Sequence, residues 1–122
     1  MHMVKLVAIF IGGGLGSILR YGFGHWLAKA TEHFPLGTLL ANVLATSVMA
    51  FGIVLISQKA DIPTWVSAFL LTGFCGGFST FSTFSLDTVK LVENGHTMMG
   101  ILNVLVSVGI CLLVAFLIIK KL

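Results

Sequence analysis

Three stretches of the chain contain no Asp, Glu, Lys or Arg: Gly37 to Ser57, Ile62 to Leu86 and Thr97 to Ile119. Each is continuously apolar, and each reaches the roughly 20 residues that cross about 30 Å of hydrocarbon as a helix. A fourth stretch, Val4 to Ala28, is apolar and rich in glycine, with Leu6 to Leu19 uncharged and Arg20 interrupting it. Membrane strands would need alternating segments of roughly ten residues, which these stretches are not. The pattern therefore predicts an all-α membrane protein whose four transmembrane helices form a single domain over residues 1–122. The connections, near Lys29 to Leu36, Gln58 to Ile62 and Glu93 to His96, are too short to hold a soluble domain. The first stretch is too long for a signal peptide and has no small-residue cleavage site, so it is expected to stay as a span.

Composition agrees. The chain is 57% hydrophobic and 9% charged, with a mean hydropathy of +1.09, whereas soluble domains carry about a quarter of their residues as charges. A net charge of +3 does not imply nucleic acid here, because the basic residues sit at helix ends and can snorkel to headgroups. Cys75 and Cys111 lie in apolar spans, where packing is their default use. Lys5, Lys59, Lys120 and Lys121 fall on one side of the membrane against Lys29 and Lys90 on the other, a bias of four to two that only weakly favours termini inside. Such a chain can insert in both orientations, and two opposed copies can meet around a twofold axis in the membrane plane.

Four places depart from plain hydrophobicity, and each needs a reason because lipid offers no hydrogen bonds. The first is Gly12-Gly-Gly-Leu-Gly-Ser17, followed by Arg20. Gly12 and Gly16 have the spacing that lets two helix backbones approach closely. Arg20 is open to two readings, an anchor that snorkels or a source of positive potential at a pore mouth. The second place is Thr38, Asn42 and Thr46, which share one helix face at i, i+4 and i+8. The Asn42 amide cannot satisfy itself on its own helix, so it belongs to an interhelical bond or to a water-filled path.

The third place is Thr72-Gly-Phe-Cys-Gly-Gly-Phe-Ser-Thr-Phe-Ser-Thr-Phe-Ser85. Adjacent Gly76 and Gly77, followed by a run of hydroxyl residues, predict a break at the two glycines in the third span. At membrane depth a break is tolerated only beside protein or a water-filled cavity. Phe78, Phe81 and Phe84 recur at steps of three among the hydroxyls. An aromatic stripe usually means core packing, but ring edges are electropositive and, with hydroxyl hydrogens, can replace an anion's water. The fourth place is Asn103 and Ser107, at i and i+4 in the last span, where each can knit helices together. This inventory is rich in donors and points to a narrow anion pathway without naming the ion.

Gly12-Gly-Gly-Leu-Gly-Ser-Ile-Leu-Arg20, Pro35-Leu-Gly-Thr-Leu-Leu-Ala-Asn42 and Gly73-Phe-Cys-Gly-Gly-Phe-Ser-Thr-Phe-Ser-Thr-Phe-Ser85 together resemble the Fluc, or CrcB-type, fluoride channels, over nearly the whole chain. The resemblance implies a fluoride-selective channel of the bacterial inner membrane, built as an antiparallel (dual-topology) homodimer with two narrow pores and a structural sodium ion between subunits. It implies passive export, because hydrogen fluoride enters from acidic surroundings and ionises in the cytoplasm. By motif position, Phe81 and Phe84 would touch fluoride and Asn42 would donate to it. Thr38, Ser82, Thr83 and Ser107 would extend the polar track, and Arg20 would shape the potential of the entrance. Gly76 and Ser79 would offer main-chain carbonyls to sodium. The family usually has Thr where Ser79 stands and Glu where Asp87 stands; the first change spares a carbonyl contact, and the second leaves Asp87 without an assigned role.

Two other classes compete. A small multidrug exporter has this length and four spans, but it exchanges protons through a carboxylate in its first span, where this chain has Arg20 and no acid. A structural membrane subunit would use the same polar residues for assembly alone. An enzyme is disfavoured, since the sequence offers no nucleophile–base pair and no metal-ligand cluster.

Overall fold

A free N–H or C=O finds no partner in hydrocarbon, so continuous apolar stretches must close their own backbone hydrogen bonds. The computed structural model describes residues 2–28 and 33–121, and over these residues every regular element is a helix. They are α1 (His2–Leu27), α2 (Leu36–Gln58), α3 (Thr64–Ser67), a π-helical segment (Ala68–Cys75), α4 (Gly76–Phe78), α5 (Phe81–Glu93) and α6 (Thr97–Lys121). Among the described residues four spans are long and apolar enough to cross a membrane: His2–Leu27, Leu36–Gln58, Thr64–Glu93 and Thr97–Lys121. The expected spans are all present, and the third continues beyond its charge-free stretch, through Asp87 and Lys90, to Glu93, where the connection was expected. Lys29, used above in the charge bias, lies outside the described residues.

Packing is carried by small residues. Helix α1 makes its most extensive contact with the π-helical segment. A β-carbon added at Gly12 would lie 2.9 Å from the Phe74 amide nitrogen, and one added at Gly16 would lie 2.7 Å from that of Phe78. Backbone therefore meets backbone along this seam, which is how helices associate where no hydrophobic force separates side chain from lipid. On the other side Ala41 and Ala45 of α2 bury Phe78, with Phe23 and Phe74 packed around it. Large side chains such as Phe10, Leu112 and Phe116 point outward and are exposed.

The turn between α5 and α6 is a Schellman motif. The Gly95 N–H closes on the Val92 carbonyl and the His96 N–H on that of Leu91, at 3.1 and 2.8 Å. Gly95 sits at φ 84°, a conformation that disfavours any side chain.

The third span corrects one expectation. Gly76 and Gly77 lie in α4, and Gly76 has helical dihedrals (φ −64°, ψ −36°), so they do not interrupt the helix. The extended residues are Ser79 (φ −78°, ψ 154°) and Thr80 (φ −153°, ψ 122°). Packing overrides helix propensity here, because Gly77 is pressed against the Gly13 backbone of α1.

Replacing Gly16 by Ala should destabilise the fold by about 1–3 kcal/mol through overpacking. Gly14→Ala faces open space and should be neutral or stabilising by up to about 1 kcal/mol through helix propensity. Thermal unfolding of both variants in detergent checks this; equal melting temperatures would mean the seam is not close-packed at Gly16.

Candidate functional site

Helix α4 stops because Ser79 turns its backbone away, and several of the freed groups find partners outside the regular helix pattern. The Ser79 N–H and hydroxyl both donate to the Cys75 carbonyl, at 2.9 and 2.8 Å. In a continuing helix the Thr80 N–H would close on Gly76; it donates instead to Asn42 Oδ1 at 2.7 Å. The same amide returns the bond, with Asn42 Nδ2 donating to the Thr80 carbonyl at 3.1 Å. Asn42 thus clasps both polar groups of one extended residue, as a neighbouring strand would. The Gly77 carbonyl, whose helical donor would be Phe81, accepts from Arg20 Nε at 3.0 Å. A cation at that carbonyl also complements the negative end of the helix dipole. Helix α5 then restarts with Thr80 as its N-cap, the hydroxyl accepting from the Thr83 N–H at 3.1 Å. Ser82 is exposed on this first turn, its hydroxyl 3.2 Å from that of Thr80.

Around this feature the structure gathers most of the residues singled out above into two cavities. Asn42, Gly76, Ser79, Phe81, Phe84 and Ser107 line one of 390 Å³. Arg20, Thr38 and Thr83 line another of 490 Å³, and Thr38 and Thr83 also border a third of 410 Å³ with Asp87 and Lys90. The rings of Phe81 and Phe84 lie 5.6 Å apart at 43°. They differ in setting: Phe84 is 8% exposed, whereas Phe81 is 78% exposed and projects from the single chain.

Other contacts were not foreseen. Thr38 Oγ1 donates to Asp87 Oδ2 at 2.8 Å, which gives Asp87 a partner. Ser107 donates to Asn103 Oδ1 at 3.1 Å, Asn103 Nδ2 to Thr88 Oγ1 at 2.9 Å, and Thr88 Oγ1 to the Phe84 carbonyl at 2.8 Å. Asn103 is only 1% exposed, so this relay is built into the α5–α6 interface. The i, i+4 spacing of Asn103 and Ser107 signalled one link; nothing local marked Thr88 as the next.

A family model described as CrcB-like protein, Camphor Resistance (CrcB), matches residues 7–119. The chain belongs to the CrcB family. Within this family it is similar to the fluoride-specific ion channel FluC of Serratia proteamaculans (strain 568), 41% identical over 106 residues, which cover 86% of this chain and 83% of the relative. It is likewise similar to the protein of that name from Proteus mirabilis (strain HI4320), at 48% over 91 residues, 74% of this chain and 73% of the relative. A third relative of the same name, from Rhizobium meliloti (strain 1021), is 41% identical over 115 residues, 93% and 92% of the two chains.

In this CrcB chain, Asn42→Asp should break the clasp, because a carboxylate can accept from the Thr80 N–H but presents only acceptors to the Thr80 carbonyl. A loss of about 1–3 kcal/mol is expected for the unsatisfied group. Thr46→Val should cost less, since the Thr46 hydroxyl bonds only to its own helix at the Asn42 carbonyl, at 2.7 Å. Melting temperatures of the two variants test this, and an Asn42→Asp protein as stable as wild type would remove the clasp from the account.

Proposed function

We propose that this protein is a fluoride-selective channel of the bacterial inner membrane, a multi-pass protein and not an enzyme, that lets fluoride leave the cytoplasm passively. The observation that carries this reading is the Asn42-clasped extended pair at Ser79 and Thr80, with Phe81 and Phe84 beside it on a polar-walled cavity. Non-helical backbone at membrane depth is tolerated where it lines a cavity, and that is where membrane proteins bind ions. The names of the relatives supply the ion. A carboxylate-driven exporter is disfavoured, because the first span carries Arg20 and no acid.

The pathway would run past Arg20, Thr38, Thr83, Ser82, Asn42, Phe81, Phe84 and Ser107. The working unit would be an antiparallel homodimer, in which the partner covers the outward-facing Phe81 ring; the weak charge bias across the membrane permits both insertions. Fluoride efflux from vesicles holding the pure protein tests the function. Fluoride should leave at least tenfold faster than chloride, and Phe81→Ile and Phe84→Ile should each slow fluoride strongly by removing an electropositive ring edge while keeping bulk. Equal fluoride and chloride rates would overturn the reading.

The same break would hold a structural sodium ion. The Gly76 carbonyl has lost its helical donor to Asn42, Gly76 is exposed, and a β-carbon added there would meet nothing within 4 Å apart from the adjoining backbone of its own helix. This leaves room for a hard cation on main-chain oxygens of Gly76 and Ser79, and a twofold axis would double the set. Such an ion offsets repulsion between aligned carbonyl dipoles. Replacing all sodium by a large organic cation should lower fluoride efflux, with recovery on adding sodium back. Full activity after exhaustive removal, with no ion density at the twofold axis, would rule the site out.

A further inference from the structure

We propose that His33 and His96 form a two-imidazole site for a divalent transition-metal ion of the Zn²⁺ and Ni²⁺ class, which ties two connections together over the 410 Å³ cavity and slows anion passage there. His33 precedes α2 and His96 precedes α6, far apart in sequence, yet their ring centroids are 4.7 Å apart at 40°. With a metal–nitrogen bond of about 2.1 Å and about 1.1 Å from nitrogen to ring centre, two imidazoles at about 90–110° on one ion have centroids about 4.5–5.2 Å apart. The observed separation falls in that window.

The pair is also held in place. His96 is fixed on both sides, its N–H on the Leu91 carbonyl at 2.8 Å and its carbonyl accepting from Gly100 at 3.0 Å. Just beyond His33, the Leu36 N–H closes on the Phe34 carbonyl at 2.8 Å. Imidazole suits zinc, nickel and copper, and hard cations such as calcium want oxygen instead. Among the described residues no three His, Cys, Asp or Glu side chains converge, so water completes the coordination and binding is modest. His33 lines the cavity that Thr38, Thr83, Asp87 and Lys90 also wall, so an ion bridging the pair stands at its rim. The effect on passage rests on the channel reading above; metal binding does not.

Calorimetric titration of the purified protein with Ni²⁺ tests the site. His33→Ala and His96→Ala should each weaken binding at least tenfold, while His25→Ala should not; affinity unchanged in the first two would overturn the site. On the unsubstituted protein, Ni²⁺ should protect His33 and His96 from diethyl pyrocarbonate and leave His25 reactive, and unprotected His33 and His96 would equally overturn it. Saturating Ni²⁺ should slow fluoride efflux at least fivefold, and His33→Ala should abolish that sensitivity. Nickel bound at these residues with efflux unchanged would overturn the closure. Vesicles that pass no fluoride without metal would overturn the channel reading, with calorimetry still deciding the site.

Discussion

Two residues of extended backbone inside an apolar span set the terms for the rest of the structure. At Ser79 and Thr80 the helix stops supplying its own partners, and each group left over would cost several kcal/mol in hydrocarbon. The answer comes from two different helices: Asn42 of α2 takes both groups of Thr80, and Arg20 of α1 takes the Gly77 carbonyl. Neither can reach unless its helix lies close and in register. The Gly12 and Gly16 seam supplies that for α1, and the Ala41 and Ala45 face for α2. The small residues and the polar residues are therefore one device, in which close packing places the side chains that make the extended pair affordable.

This dependence decides what could be read in advance. The spans were legible because absence of charge over a membrane-length stretch has few other meanings, and Asn42 was legible because an amide with two donors and an acceptor cannot satisfy itself on its own helix. The position of the extended pair was not. Gly76 and Gly77 read as helix breakers by local propensity, but Gly77 packs on the Gly13 backbone within a continuing helix, and that contact is invisible in the local sequence. The third span is a related case. Its charge-free stretch stops at Leu86, and the helix carries Asp87 on to Glu93, where the hydroxyl of Thr38, many residues away, gives the Asp87 carboxylate a partner. Local chemistry identifies a group that needs a partner; only the fold says which partner it gets.

Free protons are scarce along the proposed pathway. A sequence so full of Ser and Thr suggests many donors for an anion, yet most of these hydroxyls are already committed. Ser79, Ser85 and Thr88 donate to main-chain carbonyls, Thr46 does the same, Thr38 donates to Asp87, and Ser107 donates to Asn103. A hydroxyl has one proton, so each of these now turns lone pairs toward any remaining neighbour. That is a poor lining for an anion and a good one for water or a cation. The donors left along the proposed pathway are few: the second Asn42 N–H, the guanidinium N–H groups of Arg20 other than the one on Gly77, one proton of the Thr80 and Ser82 hydroxyl pair, and the Thr83 hydroxyl, which has no hydrogen bond among the described residues. With so few, the positive edges of Phe81 and Phe84 would carry a larger share of the proposed selectivity than the composition suggests. A small, strongly hydrated anion would then be held by scattered donors and ring edges rather than by a continuous hydroxyl track, and it would be bound weakly enough at each point to move on.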